Sequence, residues 1–334
     1  MDCNNKNTHI KNEMQCPFTW EMDESLVLDT NLNNELFDIT FTEQPVIAFM
    51  NNVTLAFIST VKNELETAVK FLIKASHICE NIDYEQPVHR NVSKNVLQHI
   101  WQASLYFVHK VLIVKLTEPK EETTSMMVIS SFLPQPLDDP QAIETVCTLK
   151  ACQSMAWYNF KTGNESAYWL SLAQAKAASD DCPSAPLFHF LVGRSLLHPL
   201  CFQSLSNWPF VTELNHLQRA YELTNCPFIG IHIEEVFREI GDTETAELVR
   251  LAIHKSQPFS VWVKLKLAMA FIQCDDLERA REIIEMVHLV QPNHKMLGLC
   301  KEAFWIKQTA SGIALCGQKS SMVVLAESLD DMKL

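Results

Sequence analysis

Glycine is scarce in this chain. Seven glycines are spread over 334 residues, and they stand singly, as at Gly163, Gly193 and Gly230. A sheet-rich protein of this size needs more turn glycines, whereas helices exclude glycine from their interiors. Isolated glycines also exclude a phosphate-cradling Gly-rich loop and a Gly-x-Ser-x-Gly nucleophile elbow. Long apolar runs are missing too. The longest, residues 108–116, is interrupted by His109, Lys110 and Lys115 and falls short of a membrane span. Positive charge is in deficit: 27 basic against 40 acidic residues leave a net charge of −13. Such a chain has no nonspecific attraction to polyphosphate. The first 16 residues are polar and lack the apolar core of a secretory signal.

Cysteine is plentiful but unpatterned. The eleven cysteines are odd in number and scattered, Cys147 and Cys152 lie five apart, and no Cys-x-x-Cys occurs. This usage reads as a reduced, cytoplasmic protein with buried thiols. The twelve histidines form no His-x-x-x-His with acidic support, so no metal site is expected. Glu234-Glu235 and Asp275-Asp276 read as a solvated helix face and a capping turn rather than paired catalytic carboxylates. The chain is therefore expected to be non-enzymatic and to hold no cofactor.

What is present is an echo. Phe237, Ala246, Ile253 and Pro258 recur 34 positions later as Phe271, Ala280, Val287 and Pro292. Thirty-four residues is the period of a tetratricopeptide repeat, a pair of antiparallel helices. One pair cannot bury its apolar face alone, so pairs stack into a solenoid. The spacing predicts helices over 211–224, 228–240, 243–255, 259–273, 276–290 and 294–307. Upstream it predicts a hairpin over 46–82, with Leu55, Ala56, Ala68, Leu72 and Ala75 at signature positions, and helices over 93–116, 141–161, 165–181 and 186–198. Two short helices are expected between Phe18 and Phe41. The fold class is all-α, a tetratricopeptide-like superhelical solenoid.

The expected organisation is a disordered segment at 1–15, helical repeats at 16–116, a proline-rich linker at 117–140, further repeats at 141–307 and an irregular tail at 308–334. A solenoid needs a polar cap at its end. The last expected helix instead carries Phe304, Trp305 and Ile306, which marks a docking edge for another protein. Met126-Met127 and the apolar run at 322–325 are further candidate docking segments.

The segment Cys16-Pro17-Phe18-Thr19-Trp20 resembles the Cys-His-Phe-Thr-Trp opening of the interferon-induced proteins with tetratricopeptide repeats. The likeness continues through Leu32-Asn33-Asn34, Asp38, Leu55-Ala56-Phe57-Ile58, Lys62, Glu66 and Ala68. It returns at Trp157 with Lys161, at Pro209-Phe210, at Leu217-Gln218-Arg219-Ala220 and through the unit at 259–292. It covers about residues 15–305, and the chain stops near the point where members of that family enter their C-terminal half.

The resemblance implies a cytoplasmic, interferon-induced role in antiviral innate immunity. Several family members enclose the 5′ end of single-stranded RNA in a basic tunnel; others act as adaptors bound to relatives. Carried over by position, Trp157 and Lys161 remain, one helical turn apart, as a candidate RNA-binding pair. Glu35 stands where the family has an arginine, and Ile39 where it has a glutamine. A further arginine falls at His198, with Arg194 one turn earlier. Family cations fall at Leu265, Met269, Ile272 and Gln273, with Lys264 and Lys266 pointing to other faces, and a histidine falls at Gly298 or Leu299. Each lost charged hydrogen bond costs about 1.5–3 kcal/mol. The sequence therefore favours a non-catalytic scaffold whose partners are proteins, including relatives or copies of itself, and disfavours RNA. Binding of 5′-triphosphate or incompletely capped RNA ends, through Trp157, Lys161, Arg194 and His198, is the alternative, with a peptide-binding repeat adaptor as a third reading.

Overall fold

The computed structural model describes residues 14–20, 22, 44–116, 140–160, 165–197 and 211–310. These contain twelve α-helices and two 3-10 turns, and no strand is found among them. The chain divides into two compact units, residues 1–249 and 250–334.

The first unit contains α1 (Pro45–Val61), α2 (Leu65–Asn81), α3 (Lys94–Leu116), α4 (Pro140–Tyr158), α5 (Glu165–Asp181), α6 (Pro186–Gly193), α7 (Val211–Thr224) and α8 (Pro227–Glu239); α9 (Thr243–Lys255) runs across the unit boundary. Proline opens α1, α6 and α8, where its missing N–H costs nothing. Leu55 and Ala56 of α1 and Ala68, Leu72 and Ala75 of α2 are all buried. The alanines stand where two helix backbones must come close.

The opening segment docks on this hairpin. Phe18 stacks on Phe107 at 5.5 Å and meets the edge of Phe57 at 5.2 Å. Thr19 closes the segment as a turn, accepting from the Cys16 N–H through Oγ1 while its own N–H donates to the Cys16 carbonyl. Residues 18–20 are thus a turn rather than the start of a helix. The rest of the two helices expected up to Phe41 lies outside the described residues.

The hairpin turns repeat as the sequence does. Asn63, Gly241 and Asp275 each adopt positive φ. The following residue then donates its N–H five residues back: Glu64 to Ser59, Asp242 to Phe237 and Asp276 to Phe271, at 2.7–3.0 Å. This bond satisfies a carbonyl orphaned at the helix end. The last two turns lie 34 positions apart, so the echo is one of backbone geometry as well as of core residues.

The second unit holds α10 (Val261–Gln273), α11 (Leu277–Val290) and α12 (Lys295–Ala310). Ser260 and Asp276 cap α10 and α11, accepting from the Val263 and Arg279 N–H groups. Leu267, Ala268, Phe271, Ala280, Ile284 and Val287 form the core with Leu297 and Cys300 of α12.

Several expectations need correction. The helix expected over 141–161 ends at Tyr158, where the Asn159 and Phe160 N–H groups turn back to Ala156 and Trp157. The helix expected over 186–198 ends at Gly193 and tightens into a 3-10 turn, Arg194–Leu197. Glu234 is not solvated: it is 2% exposed, with Arg238 Nε 3.7 Å away. Cys274 is exposed, and Cys182 and Cys226 are half-buried. Pro140, the last residue of the linker expected at 117–140, instead begins α4; the rest of that linker, with Met126-Met127, Glu35, Ile39 and the apolar run at 322–325, lies outside the described residues.

Candidate functional site

Among the described residues, Arg194 is the RNA-site candidate whose geometry is unusual. It begins the 3-10 turn after α6, all eight residues of which are buried. Gly193 permits this placement. A Cβ there would lie 2.6 Å from Leu217 Cβ and 2.9 Å from Leu217 Cα, so α6 reaches α7 backbone to backbone. Ser195 Oγ then donates to the Val192 carbonyl at 2.6 Å and holds the turn.

The turn carries the Arg194 side chain into the interior, where it is 7% exposed. Its guanidinium carbon sits 3.8 Å from the centre of the Tyr158 ring. Nε and Nη2 find no hydrogen-bond acceptor. Burial pulls the guanidinium down to about 10, opposed by Tyr158, which leaves it cationic at neutral pH. A stacked, desolvated cation gains about 2 kcal/mol from an aromatic face, while an uncompensated buried charge costs several kcal/mol. The two free N–H directions are what a fork-shaped donor presents to a phosphate or carboxylate.

Tyr158 is placed by the end of α4. Asn159 Nδ2 donates to Asn51 Oδ1 of α1 at 3.2 Å. Phe160 is buried and sets the edge of its ring toward Phe57, 6.5 Å away. Trp157 is half-buried beside them. Lys161 and His198 lie outside the described residues, so of the four RNA-site candidates only Trp157 and Arg194 are placed. Tyr158, Asn51 and Asn159 were not candidates in the sequence. The available signal was an aromatic next to Trp157 at the end of a helix.

The second unit offers its cations differently. Leu265 and Ile272 are buried in its core and Gln273 is exposed, so two of the positions matched to cations serve packing. Lys264 and Lys266, flanking Leu265, are half-buried, and Lys266 Nζ lies 5.6 Å from the Trp262 ring. Arg250 Nη1 is 2.9 Å from Cys274 Sγ, Arg279 pairs with Asp276, and Lys307 Nζ reaches Asp275 at 2.8 Å. On α12, Trp305 and Ile306 are each 53% exposed while Phe304 is half-buried. No helix among the described residues is long and apolar enough to cross a membrane.

No family model matches the sequence, and none of the curated proteins matches it either. Solved structures do match in fold. A human IFIT1 dimer with PPP-AAAA aligns at a TM-score of 0.50 and 15% identity over 91% of this chain and 65% of that one. A human IFIT1 dimer with m7Gppp-AAAA gives 0.55 and 14% over 90% and 65%. A monomeric mutant of IFIT1 with Gppp-AAAA gives 0.59 and 17% over 98% and 68%. This chain thus spans about two thirds of their length, and identity this low speaks to fold alone. The fold that the described helices build is the tetratricopeptide-type helical solenoid of the IFIT1 structures.

Proposed function

We propose that this protein is a non-catalytic, IFIT-like repeat protein that holds the phosphorylated end of a single-stranded RNA at Arg194. The observation that carries the reading is the buried guanidinium with two N–H donors lacking acceptors. Buried polar groups are normally satisfied, and a desolvated cation stacked on an aromatic ring suits a terminal phosphate. Trp157 beside Tyr158 supplies an aromatic surface of the kind on which bases stack. The solved neighbours, by their descriptions, hold PPP-AAAA, m7Gppp-AAAA or Gppp-AAAA. Glu35 and Ile39 weigh against RNA, a carboxylate and an apolar side chain standing where the resemblance expects an arginine and a glutamine. Leu265 and Ile272 are core residues and so weigh little against a cation elsewhere.

The test is binding of a short RNA beginning PPP-AAAA against the same RNA with a 5′-hydroxyl, over a salt series. We expect triphosphate selectivity that falls with salt. Arg194→Gln should lose about tenfold or more in affinity, as expected for one charged hydrogen-bonding group. Equal binding of the two RNAs, or an unchanged variant, overturns the proposal.

A second reading is supported by the exposed apolar side chains of α12. In it the chain is a cytoplasmic scaffold of antiviral innate immunity that acts through contacts with other proteins or with copies of itself. Trp305 and Ile306, with Phe304 beneath them, are its docking edge. Two of the neighbours are described as dimers, which is compatible with self-association. The two readings use different units of the chain and are not exclusive.

A further inference from the structure

Cys147 and Cys182 are far apart in sequence but meet in the α4–α5 hairpin. The register is fixed by two polar links between the helices. Ser154 Oγ lies 3.2 Å from Ser171 Oγ, and Lys150 Nζ lies 2.7 Å from Asp181 Oδ2. Cys147, one turn before Lys150, and Cys182, which follows Asp181 directly, thereby fall at the same end of the hairpin, within about a turn of each other. Each sulfur lies within electrostatic reach of the other. Cys147 is fully buried and Cys182 half-buried, so reagents reach the pair from the Cys182 side.

The surroundings divide the two sulfurs by role. Cys147, Asn91 and Ser184 beside it favour the Cys182 thiolate against burial and Glu144, and so lower that thiol. Cys147 is pushed up by the neighbouring Cys182, by burial and by the charge of Asp181, with Lys150 opposing. A half-exposed thiolate next to a protonated resolving thiol is the arrangement of peroxide-sensing cysteines. Asn91 Nδ2 also donates to Ser184 Oγ at 2.7 Å, and the Ala185 N–H donates to the Cys182 carbonyl at 3.1 Å. The polar groups around Cys182 are therefore held in place.

We infer that Cys182 and Cys147 form a peroxide-responsive dithiol that closes to a disulfide across the α4–α5 hairpin. The Cys182 thiolate attacks the O–O bond of a hydroperoxide. This forms the sulfenic acid and, with one proton, releases water from hydrogen peroxide or an alcohol from an alkyl peroxide. Cys182 then carries no negative charge, so the main opposition to ionising Cys147 is gone. Cys147 attacks the sulfenic sulfur, its proton leaves with the hydroxyl as water, and the S–S bond forms. Two thiols have lost two electrons to the peroxide bond. A small-molecule or protein thiol reverses the step by exchange. A transient bond of this kind is compatible with a reducing compartment. It would tie α4 to the turn that leads into α6.

The experiment is peptide mapping without reduction after titrating the reduced full chain with hydrogen peroxide. A linked Cys147–Cys182 peptide should appear before oxidation elsewhere, including at the exposed Cys274. In the folded reduced protein at neutral pH, Cys182 should alkylate about tenfold faster than Cys147, following thiolate fraction and access. Cys147→Ser should leave Cys182 as a sulfenic acid trapped by a dimedone reagent, and Cys182→Ser should leave Cys147 reduced. A chain whose Cys274 oxidises while Cys147 and Cys182 stay reduced overturns the inference. So does Cys147 oxidation that survives Cys182→Ser. Mapping of the unmodified sequence decides the question even if a serine variant fails to fold.

Discussion

Nδ1 of His189 lies 2.7 Å from Nδ1 of His216, and Nε2 of His189 lies 2.8 Å from the Pro183 carbonyl. A carbonyl only accepts, so His189 carries its proton on Nε2. Its Nδ1 is then the acceptor, and His216 donates from Nδ1. Both imidazoles are pulled below the usual histidine value, first by burial. The charges facing them come from two helices. Asp180 and Lys176 lie on α5, and Glu213 and Arg219 on α7 beside His216; His189 itself is on α6. Lys176 and Glu213 pair at 2.6 Å, which leaves little net charge to favour protonation.

A histidine lowered in the folded state binds its proton more readily in the unfolded state. Stability is then complete above the unfolded value and is lost as pH falls through that value toward the folded one. The urea midpoint should therefore drop between about pH 7.5 and about pH 5, the range in which ordinary histidine titrates. His216→Asn keeps a donor near the Nδ1 position and removes the titration. Its midpoint should fall less over the same interval, with His89, also lowered by burial, contributing what slope remains. An identical pH profile in the variant would show that the pair does not titrate with unfolding.

Much of the fold was legible from spacing, because a 34-residue period reports on helix pairs directly. Phe237 and Phe271 mark the same turn in successive hairpins, and the helices from α7 to α12 fall within three residues of the spans their periodicity predicts, the largest difference being at the end of α12, which runs to Ala310 rather than 307. The site was less legible. Trp157 stood out with Lys161 through the family resemblance, but the residue that receives Arg194 is its neighbour Tyr158. That pairing depends on where α4 stops and how α6 tightens into a 3-10 turn, neither of which periodicity encodes. The Cys147–Cys182 and His189–His216 pairs were invisible for a related reason. Each joins residues on different elements, and their meeting is set by interhelical register. Glu234 read as solvent-facing because an acidic pair looks polar, whereas burial follows the helix face it occupies.

Gly193 should tolerate no side chain. A Cβ would fall within 3 Å of both Cα and Cβ of Leu217, and backbone cannot swing aside as a side-chain tip can. Gly193→Ala should cost about 1–3 kcal/mol, in the range of overpacked cores, read as a lower thermal or urea midpoint. Leu217→Ala should not rescue it, because alanine retains the Cβ that blocks the site. Full rescue by Leu217→Ala would mean that the contact is not backbone-limited.

The α12 surface predicts association. Trp305 and Ile306 are each about half exposed, and large apolar side chains in contact with water favour burial against a partner. The purified chain should show a concentration-dependent mass above its 38.1 kDa monomer in light scattering. Trp305→Glu combined with Ile306→Glu should return it to the monomer without loss of helical circular dichroism. A monomer at every concentration before substitution removes this edge as a site of self-association.

Arg194→Met separates a ligand-holding arginine from a structural one. Methionine keeps the length and apolar bulk over Tyr158 but removes the charge. If Arg194 serves packing alone, the variant loses a cation–π contact of about 2 kcal/mol and should unfold at lower urea. If Arg194 is held uncompensated for an incoming anion, removing the buried charge relieves a desolvation cost, and replacing buried charge with apolar volume is often neutral or stabilising by about 1–4 kcal/mol. We expect the second outcome: an unchanged or higher midpoint together with loss of selectivity for PPP-AAAA over its 5′-hydroxyl form. Added triphosphate RNA should raise the midpoint of the parent chain and leave that of the variant unmoved, since a ligand stabilises only the state that binds it. A destabilised variant that still distinguishes the two RNAs would assign Arg194 to the core and send the search for the phosphate site elsewhere in the chain.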